Sequence, residues 1–176
     1  YDYKIEADIA GFDLYRDILP RQKTPYNAYI KNEYEEILSF SPELFFELEN
    51  NKIKTKPMKG TIQRGETKKE DETNIEFLKN DIKNRAENVM IVDLLRNDLG
   101  KIAKTGTVKV DKLFEIETHS TLHQMTSEVS ADLEDNISLY DIFEAIFPCG
   151  SSTGCPTLIT MGIIVKIETG IRGVYC

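Results

Sequence analysis

The chain has 176 residues, 40% of them apolar, and a formal net charge of −8. This size and apolar share lie within the range of one globular domain with its own core. The acidic balance argues against nucleic acid or an anionic membrane as partner, because surfaces that bind them need clustered Lys and Arg.

Cys149, Cys155 and Cys176 are odd in number and lack CxxC spacing, which speaks against a disulfide framework or a zinc site and fits a reducing cytoplasm. No apolar run has the length of a membrane span, and YDYKIEADIAG lacks the basic start and hydrophobic stretch of a signal peptide.

Near the start, FDLYRDIL places Phe12, Leu14, Tyr15, Ile18 and Leu19 at helical spacing, and Pro20 ends the pattern. Stretches around Ala28 to Tyr29, Glu36 to Phe40 and Leu44 to Leu48 are aromatic and branched, and Asn50-Asn51 leads into KIKTKP. Strands are expected there, with a hairpin whose return arm delivers Lys59 in a turn from Pro57 to Thr61. Residues 64–73 are charged and Gly-interrupted, which predicts a mobile surface loop.

Residues 74–100 read as one long helix, capped by Thr73 or Asn74, with Glu76 in its first turn and Gly100 at its close. The stripe expected to be buried is Leu78, Ile82, Ala86, Val89, Met90 and Leu94, although MIVDLL alone suits a strand equally. Beyond Gly106, TVKVDKLFEIE and LHQMTSEVSADL alternate apolar and polar residues as strands do. Ser138 then caps a short helix through Ile142, Phe143 and Ile146 that Pro148 ends. CGSSTGCP reads as a small-residue loop, Pro156 as the first residue of a final helix through Ile163, Ile164 and Ile167, and RGVYC as the start of a strand. Hairpins interleaved with helices, without a βαβα rhythm, predict an α+β fold of antiparallel sheet with helices packed outside.

Several residues have the chemistry of a site. Lys59 stands beside Gly60, where a ligand can approach the backbone; desolvated in a pocket it becomes a nucleophilic amine, and in water it is an ordinary surface lysine. Glu43 follows a Ser-Pro bend near Phe40, Leu44 and Phe45; partial burial there would make it a proton donor, and exposure would make it a plain strand-end carboxylate. Glu87 shares a helical face with Ile91, Leu94 and Asp98, and a carboxylate so placed suits a hard cation such as Mg²⁺. Asp93, Arg96, Asn97 and Asp98 read as a structural hydrogen-bonding cluster. Gly150 to Gly154 precede a helix start, where free N–H groups attract anions, although such a loop is also a common plain turn. His123 on its strand reads as structural, and Gln124 as a weak pocket candidate able to orient a hydroxyl.

Taken together, SPE at Ser41 to Glu43, PMKGT at Pro57 to Thr61, ENVMIVDLLRNDLG at Glu87 to Gly100 and FPCGSSTG at Phe147 to Gly154 closely resemble the chorismate-utilising enzymes, over about Tyr15 to Cys176. The lysine in the PxKGT word is similar to that of their aminodeoxychorismate synthase branch, where anthranilate synthases have alanine. The resemblance implies one catalytic domain over residues 1–176, incomplete at both ends. It implies a cytoplasmic, Mg²⁺-dependent enzyme converting chorismate and ammonia to 4-amino-4-deoxychorismate, the precursor of p-aminobenzoate for folate, with ammonia supplied by a glutamine amidotransferase partner. It further implies Lys59 as the nucleophile at C2 of chorismate and Glu43 as the acid that protonates the departing C4 hydroxyl. Glu87 is implied as a metal ligand, with the remaining ligands beyond Cys176. Gly60, Thr61, Gln124, Gly150, Ser151, Thr153, Gly154 and Tyr175 are implied around the substrate; relatives often carry histidine at the position of Gln124. Thr157 departs from the family, which usually has lysine after that proline. Anthranilate synthase component I, isochorismate synthase and a catalytically silent chorismate binder remain the alternatives.

Overall fold

Helices and antiparallel strands are interleaved along the computed structural model, which describes residues 5–154, 157–168 and 170. The chain divides into two units, Tyr1–Leu44 and Phe45–Cys176. Among the described residues, no helix is long and apolar enough to cross a membrane.

In the first unit, α1 (Gly11–Ile18) accompanies a hairpin of β1 (Tyr26–Lys31) and β2 (Glu36–Ser41). The apolar stripe of α1 meets the strands through aromatic rings, with Phe12 edge-on to Tyr29 and Tyr15 stacked on Phe40 at centroid distances of 5.3 and 5.2 Å.

The second unit is built around β7 (Leu122–Asp132). β6 (Lys109–Thr118) runs along one edge of it; along the other lie β4 (Lys52–Lys56), then β5 (Met58–Gln63), and β3 (Leu44–Glu49) extends the sheet beyond β4. Asn50 and Asn51, at φ 50° and 63°, make the tight turn from β3 to β4, a conformation that asparagine tolerates. The side chains of β7 alternate. His123, Met125, Ser127, Val129 and Ala131 are buried on the side of the helices α2 (Lys68–Asn80) and α3 (Ile82–Leu99), while Gln124, Thr126, Glu128 and Ser130 take the opposite face. Val129, Ala131 and Ile53 join Val92 and Leu99 of α3 and Ile142 and Ile146 of α4 (Leu139–Ile146) in the core. α4 opens with a capping box between Ser138 and Asp141. α5 (Gly150–Thr153) and α6 (Thr157–Ile167) follow.

The antiparallel α+β class is as expected, and five local expectations are corrected. The predicted single helix over 74–100 is two helices broken at Asp81, which ends α2 by donating its N–H to Phe77 and starts α3 by accepting from Asn84 N at 2.8 Å. α2 begins at Lys68 under a Thr67 cap, so the predicted mobile loop is largely helical. The buried face of α3 is Asn88, Ile91, Val92, Leu95 and Leu99; Ile82, Ala86, Val89 and Met90, expected inside, are exposed. Finally, the predicted turn from Pro57 to Thr61 is strand, and the predicted small-residue loop contains the short helix α5. Pro156 and the expected strand at RGVYC lie outside the described residues.

Candidate functional site

Lys59 sits on β5 at a bulge. Met58 pairs with Thr126 and Thr61 with Gln124, so β5 advances three residues while β7 advances two, and the extra residue is absorbed at Lys59 and Gly60. A bulge re-aims the side chain it carries and is a common device beside active sites. Gly60 makes this one possible: its φ is +95°, and a Cβ there would lie 3.0 Å from Asn84 Cβ on α3. On the opposite face of the sheet, Gln124 is 7% exposed and spends both ends of its amide on β5. Its Nε2 donates to the Gly60 carbonyl at 2.9 Å, and its Oε1 accepts from the Thr61 hydroxyl at 2.7 Å. Lys59, Gly60, Thr61 and Gln124, proposed from separate segments of sequence, are thus neighbours in one small region.

Just beyond the bulge lies a network that sequence reading missed. Asp71, in the first turns of α2, accepts from Arg64 Nε and Nη2 at 2.8 Å each, from Gly65 N at 2.8 Å and from His123 Nε2 at 2.9 Å. The Arg64 guanidinium, followed by the Gly65 N–H, holds the Asp71 carboxyl far below the usual carboxylate range, and Asp71 in turn raises the pKa of Arg64. Nδ1 of the fully buried His123 is 2.9 Å from the Thr118 hydroxyl, and Arg64 also donates to the His119 carbonyl at 3.0 Å. These bonds tie the segments that follow β5 and β6 to α2, and β6 and α2 to β7, so His123 is structural, as its sequence setting suggested.

α3 joins the remaining candidates of the second unit. Glu87 lies one turn after Asn84; its side chain is 44% exposed, and the Lys83 ammonium stands 3.9 Å away. An accessible carboxylate fits Mg²⁺ as one hard oxygen ligand. Among the described residues no group of three His, Cys, Asp or Glu side chains gathers to complete a metal site. About 10 Å further along α3, Leu94 meets Gly150, which is buried; a Cβ at Gly150 would come within 2.1 Å of Leu94 Cδ2. Gly150→Ala is therefore expected to destabilise the protein by about 1–3 kcal/mol. Urea denaturation checks this, and adding Leu94→Ala should restore part of the loss, because the two sites share one contact.

Thr153 is buried and bonds back to the Cys149 carbonyl through its hydroxyl at 3.3 Å, and Gly154 follows at φ 80°, ψ −170°, a conformation reserved for glycine. Ser151 is placed in α5 by its backbone alone, and Tyr175 lies outside the described residues. The anticipated cluster of Asp93, Arg96, Asn97 and Asp98 resolves into two local pairs, Arg96 with Asp93 at 3.0 Å and Lys101 with the half-buried Asp98 at 2.7 Å.

Glu43 belongs to the first unit, in the bend between β2 and β3. The Ser41 hydroxyl accepts from Glu43 N at 3.2 Å and donates to its carbonyl at 3.1 Å, which fixes the backbone of the half-buried acid.

The family of chorismate binding enzymes matches residues 1–176. Aminodeoxychorismate synthase component 1 of Salmonella typhimurium is 42% identical over 154 residues, covering 88% of this chain and 34% of its own length. Anthranilate synthase component 1 of Aquifex aeolicus is 37% identical over 163 residues, covering 93% of this chain and 33% of its own length. In fold, anthranilate synthase component I from Streptococcus pneumoniae superposes with a TM-score of 0.85 at 31% identity, over 97% of this chain and 37% of its own. The chain spans about a third of the length of these relatives.

Proposed function

The chain belongs to the family of chorismate binding enzymes, and from that premise we propose that it carries part of the catalytic domain of a cytoplasmic aminodeoxychorismate synthase. The reaction joins chorismate and ammonia into 4-amino-4-deoxychorismate and releases water. A glutamine amidotransferase partner supplies the ammonia, as the component 1 names of similar proteins suggest. The observation that carries this reading is a half-buried Lys59 on a glycine-dependent bulge, a device that re-aims the side chain it carries.

In this reading the Lys59 amine adds to C2 of chorismate, the ring double bond shifts, and the C4–O bond breaks as Glu43 gives the departing hydroxyl its proton. Ammonia then forms the new bond at C4, the double bond shifts back, and the C2–N bond to Lys59 breaks, returning the amine. Gly60 allows the backbone turn of the bulge beside the nucleophile, while Thr61, Gly150, Ser151, Thr153, Gly154 and Tyr175 surround the substrate. Mg²⁺ with Glu87 among its ligands would supply positive charge opposite a chorismate carboxylate.

Anthranilate synthesis is the second reading, favoured by relatives of that name at 37–38% identity. Mass spectrometry of products from the full-length protein, given chorismate, Mg²⁺ and excess ammonium, separates them. Aminodeoxychorismate is the expected product. Anthranilate or isochorismate would move the protein to another branch, and unchanged chorismate would make it a silent binder.

A further inference from the structure

Lys59 can act as a nucleophile only if its amine reaches one place repeatedly. Its long, flexible side chain has much rotamer freedom, so the part that can be fixed is the backbone from which it starts. The backbone at the bulge is held from both faces of the sheet. Asn84 closes one side of Gly60, and Gln124 grips the other through the Gly60 carbonyl and the Thr61 hydroxyl. A carbonyl can only accept, so the amide nitrogen of Gln124 must face Gly60; its oxygen is then the end left for Thr61. Both ends of the buried amide are used on the strand that bears Lys59.

We infer that Gln124 is a positioning residue for Lys59: it clamps the bulge and so sets the direction in which the amine leaves β5. The inference rests on the reading of Lys59 as nucleophile. It gives Gln124 a different task from the orientation of the substrate hydroxyl expected from sequence. Misplacing a reacting group by roughly 1 Å costs about 10²-fold in rate. Releasing the clamp should therefore lower kcat while substrate affinity is largely kept.

The test uses the full-length protein with chorismate, Mg²⁺ and ammonium. Gln124→Ala is expected to lower kcat about 10²-fold with KM for chorismate changed less than about threefold. It should also alter the rate at which an amine-reactive acylating reagent labels Lys59 without substrate, read by peptide mass spectrometry. Gln124→Glu adds a signature that bulk packing would not produce. Its protonated carboxyl can donate to the Gly60 carbonyl and accept from Thr61, whereas its carboxylate faces the carbonyl oxygen with no proton to offer. Its kcat relative to the unsubstituted protein should therefore recover as pH is lowered. If Gln124→Ala does not fold, Thr61→Val removes one of the two bonds at nearly constant volume and should give a smaller fall in kcat. Unchanged kcat and labelling in the folded variants would overturn the clamp. So would a loss confined to KM with no recovery of Gln124→Glu in acid, since that is the behaviour of a substrate contact. Failure of the underlying reading looks different, because Lys59→Ala would itself keep turnover.

Discussion

If the proposed reading holds, Lys59→Ala is expected to lower formation of aminodeoxychorismate by at least about 10⁴-fold in kcat while the protein remains folded. The magnitude follows from removing a covalent nucleophile rather than one contact among many; such groups act as a unit with their partners, and their loss costs about as much as losing the whole assembly. The fold should survive because Lys59 is half-buried at the bulge, outside the cluster of core residues around Ile53 and Val129. Lys59→Arg is the informative companion. It keeps a positive charge and a long stem, yet a guanidinium stays protonated and offers no lone pair for attack. If the lysine serves only to hold an anionic substrate, the arginine variant keeps substantial turnover; as a nucleophile, both variants are inactive. Product analysis beside circular dichroism distinguishes these outcomes, and wild-type turnover in Lys59→Ala would exclude the covalent route.

The sequence was most legible where structure is decided locally. Tyr26–Lys31, Glu36–Ser41 and the two long strands Lys109–Thr118 and Leu122–Asp132 lie where strands are expected, and the Asn50-Asn51 turn and the Ser138 cap are signalled by residues a few positions apart. Errors arose where the deciding partner is distant. Residues 64–73 look solvated by composition, but Asp71 is fixed by His123, 52 positions later. The break at Asp81 is a single capping side chain within an otherwise continuous helical pattern. The inner face of α3 was misassigned because VMIV offers apolar residues on every side. The buried orientation brings the polar Asn88 inward, where it meets the Ser127 hydroxyl.

The candidate site divides in the same way. Lys59 and Glu43 were recognisable from short words, and their neighbours give their backbones a physical basis: Gly60, Gln124 and Asn84 for the lysine, Ser41 for the acid. The bulge itself was not legible, because a register shift is a property of two strands and β5 alone carries only its glycine as a hint. The network of Arg64, Asp71 and His123 was invisible for the same reason, since each member taken singly looks like an ordinary polar residue.

Asp71→Asn tests how far that network holds the site in place. At neutral pH the variant should be clearly less stable, since an amide can accept through one oxygen but turns N–H groups toward donors on Arg64 or His123. The pH dependence identifies the cause. In the unfolded chain Asp71 titrates near about 3.9, and in the folded protein Arg64 and Gly65 hold it well below that value. Between the two values the unfolded state binds more protons, so stability falls as pH falls. The contribution is complete above the unfolded-state value and is lost progressively as pH drops toward the folded-state one. Urea denaturation at pH 7 and pH 3 should thus show wild type and Asp71→Asn converging in acid; parallel profiles would mean that the carboxylate charge does not hold the network. His123→Ala removes a fully buried ring and leaves Thr118 and Asp71 each short of a partner, at a cost of about 2–4 kcal/mol. Because Arg64 directly follows β5 and His123 precedes Gln124 on β7, loosening either end is expected to loosen the pairing that carries the bulge. A milder variant at this network should therefore lower turnover at temperatures where the protein is still folded.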